Sequence, residues 1–137
     1  MFSSDHTRDG GDAAEPAIVD FVLPRAPSCA AEARRMVDEV AGGRLTDAAR
    51  QRVLLAVSEL VSNAWKHGEG AITLKAAYRP GALRIEVIDE GTGAVPAIRE
   101  SAGDSSGGWG LRIVDEVALR WGCFEGTTHV WADLPLA

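Results

Sequence analysis

The chain has 137 residues, with 46% hydrophobic and 25% charged residues, which is the size and composition of one ordinary globular domain. This composition excludes a wholly disordered chain, a collagen-like repeat and a disulfide scaffold. A formal net charge of −6 leaves no basic footprint for nucleic acid, and no apolar run approaches the roughly eighteen residues of a membrane span. Residues 1–15 lack the basic start and apolar core of a secretory signal, so we expect a cytoplasmic protein.

The N-terminal third of the chain predicts a tail, a strand and a helix. Residues 1–16 are rich in Ser, Asp and Gly, which is typical of a mobile tail, so we assign the folded domain to residues 17–137. The β-rich run 17–23, which a proline closes, predicts an edge strand. Small and branched apolar residues then recur at helical spacing until Gly42 and Gly43 end the helix.

A second, longer helix and four more strands follow. Thr46 can cap this helix, whose apolar stripe continues until Gly68 and Gly70. The further elements are strands over 71–78 and 83–88 around a turn at 79–82, a glycine-rich loop over 90–108, a helix over about 109–118, and strands over 120–125 and 128–134. Because strands come in adjacent pairs and helices are few, we expect an α+β fold with a mixed, mostly antiparallel sheet and helices on one face.

Three polar residues of the second helix form the first candidate site. Glu59, Asn63 and His67 are spaced i, i+4 and i+8, which places them on one side of the helix. One explanation is the polar outer face of an amphipathic helix. The other is chemical, because the carboxamide oxygen of Asn63 suits Mg²⁺ on a phosphate chain and Glu59 could accept a proton from an attacking hydroxyl.

Two segments that contain glycine are further candidates. Asp89 follows a strand, where it is typical of a turn, but a carboxylate fixed there could also accept a hydrogen bond from the amino group of an adenine. The run from Gly107 to Leu111 begins a helix. This run is either a flexible linker or a phosphate site, because bare backbone N–H groups at a helix N-terminus attract phosphate.

Together the three segments predict a pocket for a magnesium nucleotide. Neither a Walker phosphate loop nor the glycine fingerprint of a dinucleotide-binding fold occurs in the sequence. The segments resemble, in order, the N, G1 and G2 boxes of the GHKL ATPase superfamily. More narrowly, Glu-Leu-Val-Ser-Asn-Ala at 59–64, His67-Gly68 and the run Gly-Leu-Arg-Ile-Val-Asp-Glu-Val at 110–117 are similar to those of bacterial anti-sigma factor serine/threonine kinases. The resemblance covers roughly residues 17–136.

This resemblance implies a two-layer α/β sandwich of the Bergerat type that binds ATP and Mg²⁺. It would make Glu59 the catalytic base, Asn63 the metal ligand and Asp89 the contact to the adenine amine. The remaining positions that it assigns to nucleotide binding are Gly91 and Gly93 at the pocket and lid hinge, Gly108, Gly110 and Leu111 at the phosphates, and Thr128 near the adenine. His67 has a supporting role in this assignment.

The sequence departs from the family pattern at two positions. Trp109 stands where relatives commonly carry an arginine between the glycines, which removes a positive charge near the phosphates and puts the rate of phosphotransfer in doubt. Relatives tend to place a threonine directly before the Val-Trp pair of the last strand, whereas this chain has His129 there and Thr127 and Thr128 before it. Between these candidates we favour Thr128 for the adenine end.

The resemblance implies an anti-sigma factor or related switch protein with serine kinase activity toward a small anti-sigma antagonist of the STAS type. Its partners would be a sigma factor, that antagonist, or both, and a homodimer is compatible with the family because relatives are often dimers. A non-catalytic regulatory module of the same fold, with or without bound ATP, is the alternative. A detached ATP domain of a sensor histidine kinase is a third interpretation, although the chain has no helical hairpin with a phosphoacceptor histidine.

Overall fold

A computed structural model describes residues 16–91, 111–124 and 129–137. The predicted N-terminal tail therefore lies outside the described residues, except for Pro16. The helices are α1 Cys29–Ala41, α2 Asp47–His67 and α3 Leu111–Val117, and a short 3₁₀ helix, Gly42–Arg44, joins α1 to α2. The strands are β1 Val19–Leu23, β2 Ile72–Arg79, β3 Ala82–Ile88, β4 Arg120–Cys123 and β5 Val130–Pro135.

The strands form one five-stranded sheet in the order β1-β2-β3-β5-β4. All four pairings of the described strands are antiparallel, so the parallel component of the expected mixed sheet is not found among them. β1 lies at an edge, as its sequence predicts. β2 and β3 form a tight hairpin in which Arg79 pairs with Ala82, and Gly81 supplies the left-handed backbone that this turn requires, with φ 73°.

The helices pack on one face of the sheet, which makes the predicted α+β, two-layer arrangement correct. Leu60 and Val57 of α2 turn into the core together with alternate residues of the central strands, such as Leu74 and Ile85. α2 is the central helix, since it contacts α1, α3 and the strands β2, β3 and β5. None of the helices in the described ranges is long and apolar enough to cross a membrane.

The opposite face of the sheet carries a buried charged cluster. Arg84 donates from Nε and Nη2 to the two carboxylate oxygens of Asp133, at 2.7 and 2.9 Å, and stacks over the ring of Trp131 at 4.2 Å. Arg120 adds a third bond to Asp133, at 3.0 Å. Because Asp133 is only 1% exposed, these guanidinium partners compensate its buried carboxylate in place of water.

Both cysteines are free thiols. Cys29 is buried in the core and Cys123 is half-buried. Burial raises the pKa of the Cys123 thiol, which disfavours the reactive thiolate form.

Candidate functional site

α2 carries the first set of candidate residues and is well defined at both ends. The Thr46 side chain accepts a hydrogen bond from the Ala49 N–H at 3.1 Å, which confirms the predicted cap. The other end is Gly68, whose N–H donates to the Ala64 carbonyl. Glu59 and Asn63 are four residues apart on this helix, so their side chains lie one turn apart, with about 5–6 Å between their Cβ atoms.

The three polar residues of α2 differ in burial. Asn63 is 6% exposed, Glu59 is half-buried, and His67 is exposed at the end of the helix. A polar outer face would leave all three in solvent, so that explanation does not describe Asn63. α3 packs against α2, and a buried polar residue on a helix that is covered in this way calls for a partner.

The amide oxygen of Asn63 has no such partner in the described part of the chain. Its Oδ1 atom is buried, and none of the described residues donates a hydrogen bond to it. A buried acceptor without a donor costs about 1–3 kcal/mol, which a bound cation would recover. Amide oxygens are among the hard ligands that Mg²⁺ accepts, so the residue fits the metal that its sequence position predicts.

Asp89 lies beside the end of α2, directly after β3. It is 9% exposed, and its Oδ1 atom accepts the Gly91 N–H at 2.7 Å and the Glu69 N–H at 3.4 Å. Backbone donors thus fix the direction of the carboxylate, and a fixed carboxylate is an acceptor that can read an exocyclic amine. The last residue of α2, His67, is four residues beyond Asn63, or about 6 Å of helix rise, so both candidates lie in one region.

Gly68 belongs to the candidate site, although the sequence predicts only that it ends the helix. A Cβ at this position would collide with the carboxylate of Asp89 and would lie 2.7 Å from the Ala64 carbonyl oxygen. The absence of a side chain therefore lets the helix end pack directly against Asp89. Gly70, which has φ 70°, makes a similar close approach to the side chain of Glu90. Both glycines occur in the motif region, but only the fold shows what they contact.

His129 lies on the face of the sheet opposite the helices. Its Nε2 is 2.7 Å from the Glu86 carboxylate, and its ring is 4.4 Å from that of Phe124. Glu86 pairs across the sheet with Trp131, on the face that bears the charged cluster, since alternate residues point to opposite faces. Burial would raise the pKa of the Glu86 carboxyl, but the hydrogen bond with His129 and nearby positive charges hold it below its ordinary value.

Two further positions that the resemblance assigns to the nucleotide are described. Gly91 binds Asp89 through its backbone, and Leu111 is fully buried at the start of α3, which leaves its backbone as the part that can face a ligand. The described residues contain no group of three or more His, Cys, Asp or Glu side chains that could hold a metal ion. The role of Asn63 as a metal ligand stays a prediction.

A comparison with known protein families gives a match over most of the chain. The model of the histidine kinase-like ATPase domain matches residues 23–127, which are most of the chain. The chain belongs to this family. A histidine kinase-like ATPase domain binds ATP and takes part in ATP-dependent phosphotransfer. No curated protein matches the chain.

The matched range includes every position that the resemblance assigns to the histidine kinase-like ATPase site except Thr128. Gly93, Gly108, Gly110 and Thr128, together with the divergent Trp109, lie outside the described residues, so their roles remain predictions. The narrower resemblance to anti-sigma factor kinases rests on the sequence motifs alone.

Proposed function

We propose that the chain is an ATP- and Mg²⁺-dependent protein serine/threonine kinase that acts in the cytoplasm as an anti-sigma factor or related switch protein. The observation that carries this proposal is the buried Oδ1 atom of Asn63, to which none of the described residues donates a hydrogen bond. An unsatisfied acceptor at 6% exposure is costly to keep. A metal site one helical turn from Glu59 explains why the chain keeps it.

In the proposed reaction the chain's residues divide the tasks of phosphoryl transfer. Asn63 holds the cation, which when bound neutralises charge on the phosphates. Asp89 accepts a hydrogen bond from the adenine amine and orients the nucleotide. Glu59 accepts the proton of the serine or threonine hydroxyl as its oxygen attacks the terminal phosphorus. The bond between that phosphorus and the bridging oxygen breaks, and ADP leaves.

The proposed substrate is a serine or threonine of a small anti-sigma antagonist of the STAS type. Phosphorylation would prevent the antagonist from releasing a sigma factor that the kinase sequesters. Support for this narrower function comes from the sequence alone, namely the run at 110–117 and the segment at 59–64, which resemble those of anti-sigma factor kinases. The net charge of −6 suits a basic protein partner.

The first test is calorimetric titration of ATP with and without Mg²⁺, on the wild type and on Asn63→Ala. We expect Mg²⁺-dependent binding that is at least about tenfold weaker in the variant. Gln51→Ala is the matched control, because Gln51 is an exposed amide on the same helix, and it should bind like the wild type. An Asn63→Ala protein that is folded and binds ATP with unchanged Mg²⁺ dependence would overturn the metal assignment.

A second measurement tests phosphotransfer. Glu59→Ala should bind ATP but transfer phosphate from labelled ATP to a STAS-type antagonist about 10²–10⁴-fold more slowly, because this is the typical contribution of a proton acceptor to the rate. The divergent Trp109 favours the second candidate function, a non-catalytic regulatory module. ATP binding without any transfer by the wild type would support that alternative and contradict the kinase proposal.

A further inference from the structure

Arg25, in the segment between β1 and α1, makes three hydrogen bonds to backbone carbonyls near the end of α2. Its Nε donates to the Gly70 carbonyl at 2.7 Å, its Nη1 to the Trp65 carbonyl at 2.9 Å, and its Nη2 to the Ala64 carbonyl at 3.0 Å. These acceptors lie 39 to 45 residues away in the sequence. One surface side chain therefore ties the start of the fold to the connection between α2 and β2.

These carbonyls suit a guanidinium group. The last four carbonyls of a helix have no partner within it, and they form the negative end of the helix dipole. A guanidinium group presents its donors in a rigid planar fork that can reach several separated acceptors at once, whereas the three donors of a lysine ammonium sit on one nitrogen. Arg25 thus fixes the last turn of α2 and Gly70, two residues before β2, relative to each other.

The segment that Arg25 binds packs against the side chain of Asp89. Gly68 and Glu69 lie between the carbonyls that Arg25 binds. Gly68 packs directly against the Asp89 carboxylate, and the Glu69 N–H donates to that carboxylate. The Glu69 carbonyl in turn accepts the Glu90 N–H at 2.8 Å. A shift of this segment would therefore turn or release the Asp89 side chain.

We propose that Arg25 is a positioning residue that sets the direction of the Asp89 carboxylate for recognition of the nucleotide base. This inference rests on the proposed contact between Asp89 and the adenine amine. An arginine that merely capped the helix would affect stability alone. A positioning arginine also affects which base the site prefers, and this difference makes the two roles separable.

The test compares Arg25→Ala and Arg25→Lys with the wild type in titrations of ATP and of inosine triphosphate, which carries an oxygen in place of the adenine amine. We expect Arg25→Ala to bind ATP about tenfold more weakly and to lose most of its preference for ATP, with Arg25→Lys intermediate. Arg50→Ala is the control, because Arg50 pairs with Asp38 at 2.6 Å near the start of α2. That variant should melt earlier but keep the base preference.

Amide hydrogen exchange provides a readout that needs no nucleotide. The Gly91 N–H donates to Asp89, so it should exchange faster in Arg25→Ala than in the wild type and in Arg50→Ala. If Arg25→Ala does not fold, Arg25→Lys decides the outcome. Wild-type base preference and Gly91 protection in a folded Arg25 variant would overturn this inference alone. A wild type that binds no ATP would instead overturn the proposed function.

Discussion

Replacing Gly68 with alanine is expected to destabilise the fold and to weaken nucleotide binding through a steric effect at Asp89. Gly68 has φ −96° and ψ −167°, a conformation that any residue adopts, so alanine would introduce no backbone strain. The new Cβ, however, would collide with the Asp89 carboxylate and would lie 2.7 Å from the Ala64 carbonyl oxygen. Real Cβ atoms essentially never approach heavy atoms closer than 3.0 Å.

The structure indicates the size of this effect. The carbonyl must move by at least 0.3 Å, from 2.7 to 3.0 Å, yet it is held by the Gly68 N–H at 2.9 Å and by Arg25 at 3.0 Å. The carboxylate must move further, which breaks its bond to the Gly91 N–H. Overpacking of this kind costs about 1–3 kcal/mol, or a fall in melting temperature of roughly 3–15 °C for a domain of this size.

Thermal and denaturant unfolding, with ATP titration in parallel, measure this prediction. Gly43→Ala is the matched control, because nothing lies within 4 Å of a Cβ at that position, and it should be close to neutral. The double variant Gly68→Ala/Asp89→Ala should regain part of the lost stability without regaining ATP binding. The steric argument is wrong if Gly68→Ala unfolds with the same free energy as the wild type and Gly43→Ala.

Three further predictions concern the sheet face opposite the helices. Asp133→Asn should lower the free energy of unfolding by about 3–5 kcal/mol in urea titrations, because it leaves the buried Arg84 charge without its carboxylate. Arg120→Ala should cost less than about 1 kcal/mol, since this side chain is 60% exposed. Glu86→Gln should cost about 1 kcal/mol at neutral pH, and this difference should shrink as the pH falls below 4.5, the ordinary pKa of Glu86.

The sign of the pH effect follows from the lowered pKa of Glu86. A carboxyl whose pKa is lower in the folded state stabilises the fold above its unfolded value, and this stabilisation is lost as the pH falls through the folded value. A Glu86→Gln difference that grows in acid would contradict the assigned contact with His129. For the buried cluster, equal costs of Asp133→Asn and Arg120→Ala would show that Arg84 does not depend on Asp133.

Much of the fold could be predicted because its signals are local. The ends of α2 follow from Thr46 as a cap and Gly68 as a stop, and its core face follows from the apolar stripe. The hairpin between β2 and β3 follows from Pro80-Gly81, since glycine adopts the positive φ that the turn needs. These features depend on residues within one or two turns of each other, which a linear pattern contains.

The candidate site could be predicted only as a set of residue types. Glu59, Asn63 and His67 fit one helical period, yet their burial differs because the packing of neighbouring elements decides which part of α2 is covered. Thr127, Thr128 and His129 precede the Val-Trp pair, and the sequence alone favours Thr128 among them. The contact with Glu86 places His129 on the far face of the sheet, whereas the choice of Thr128 for the adenine end stays a prediction.

The sequence by itself determined the elements, the fold class and the motif that marks the chain as an ATPase domain, because periodicity, caps and turn residues act over short distances. Only the tertiary structure decided that Arg25 reaches the end of α2 across 40 residues, that Gly68 packs against Asp89, and that Arg84 and Asp133 pair across 49 residues. Such contacts depend on how strands and helices pack in three dimensions, and the spacing of residues along the chain does not contain that information.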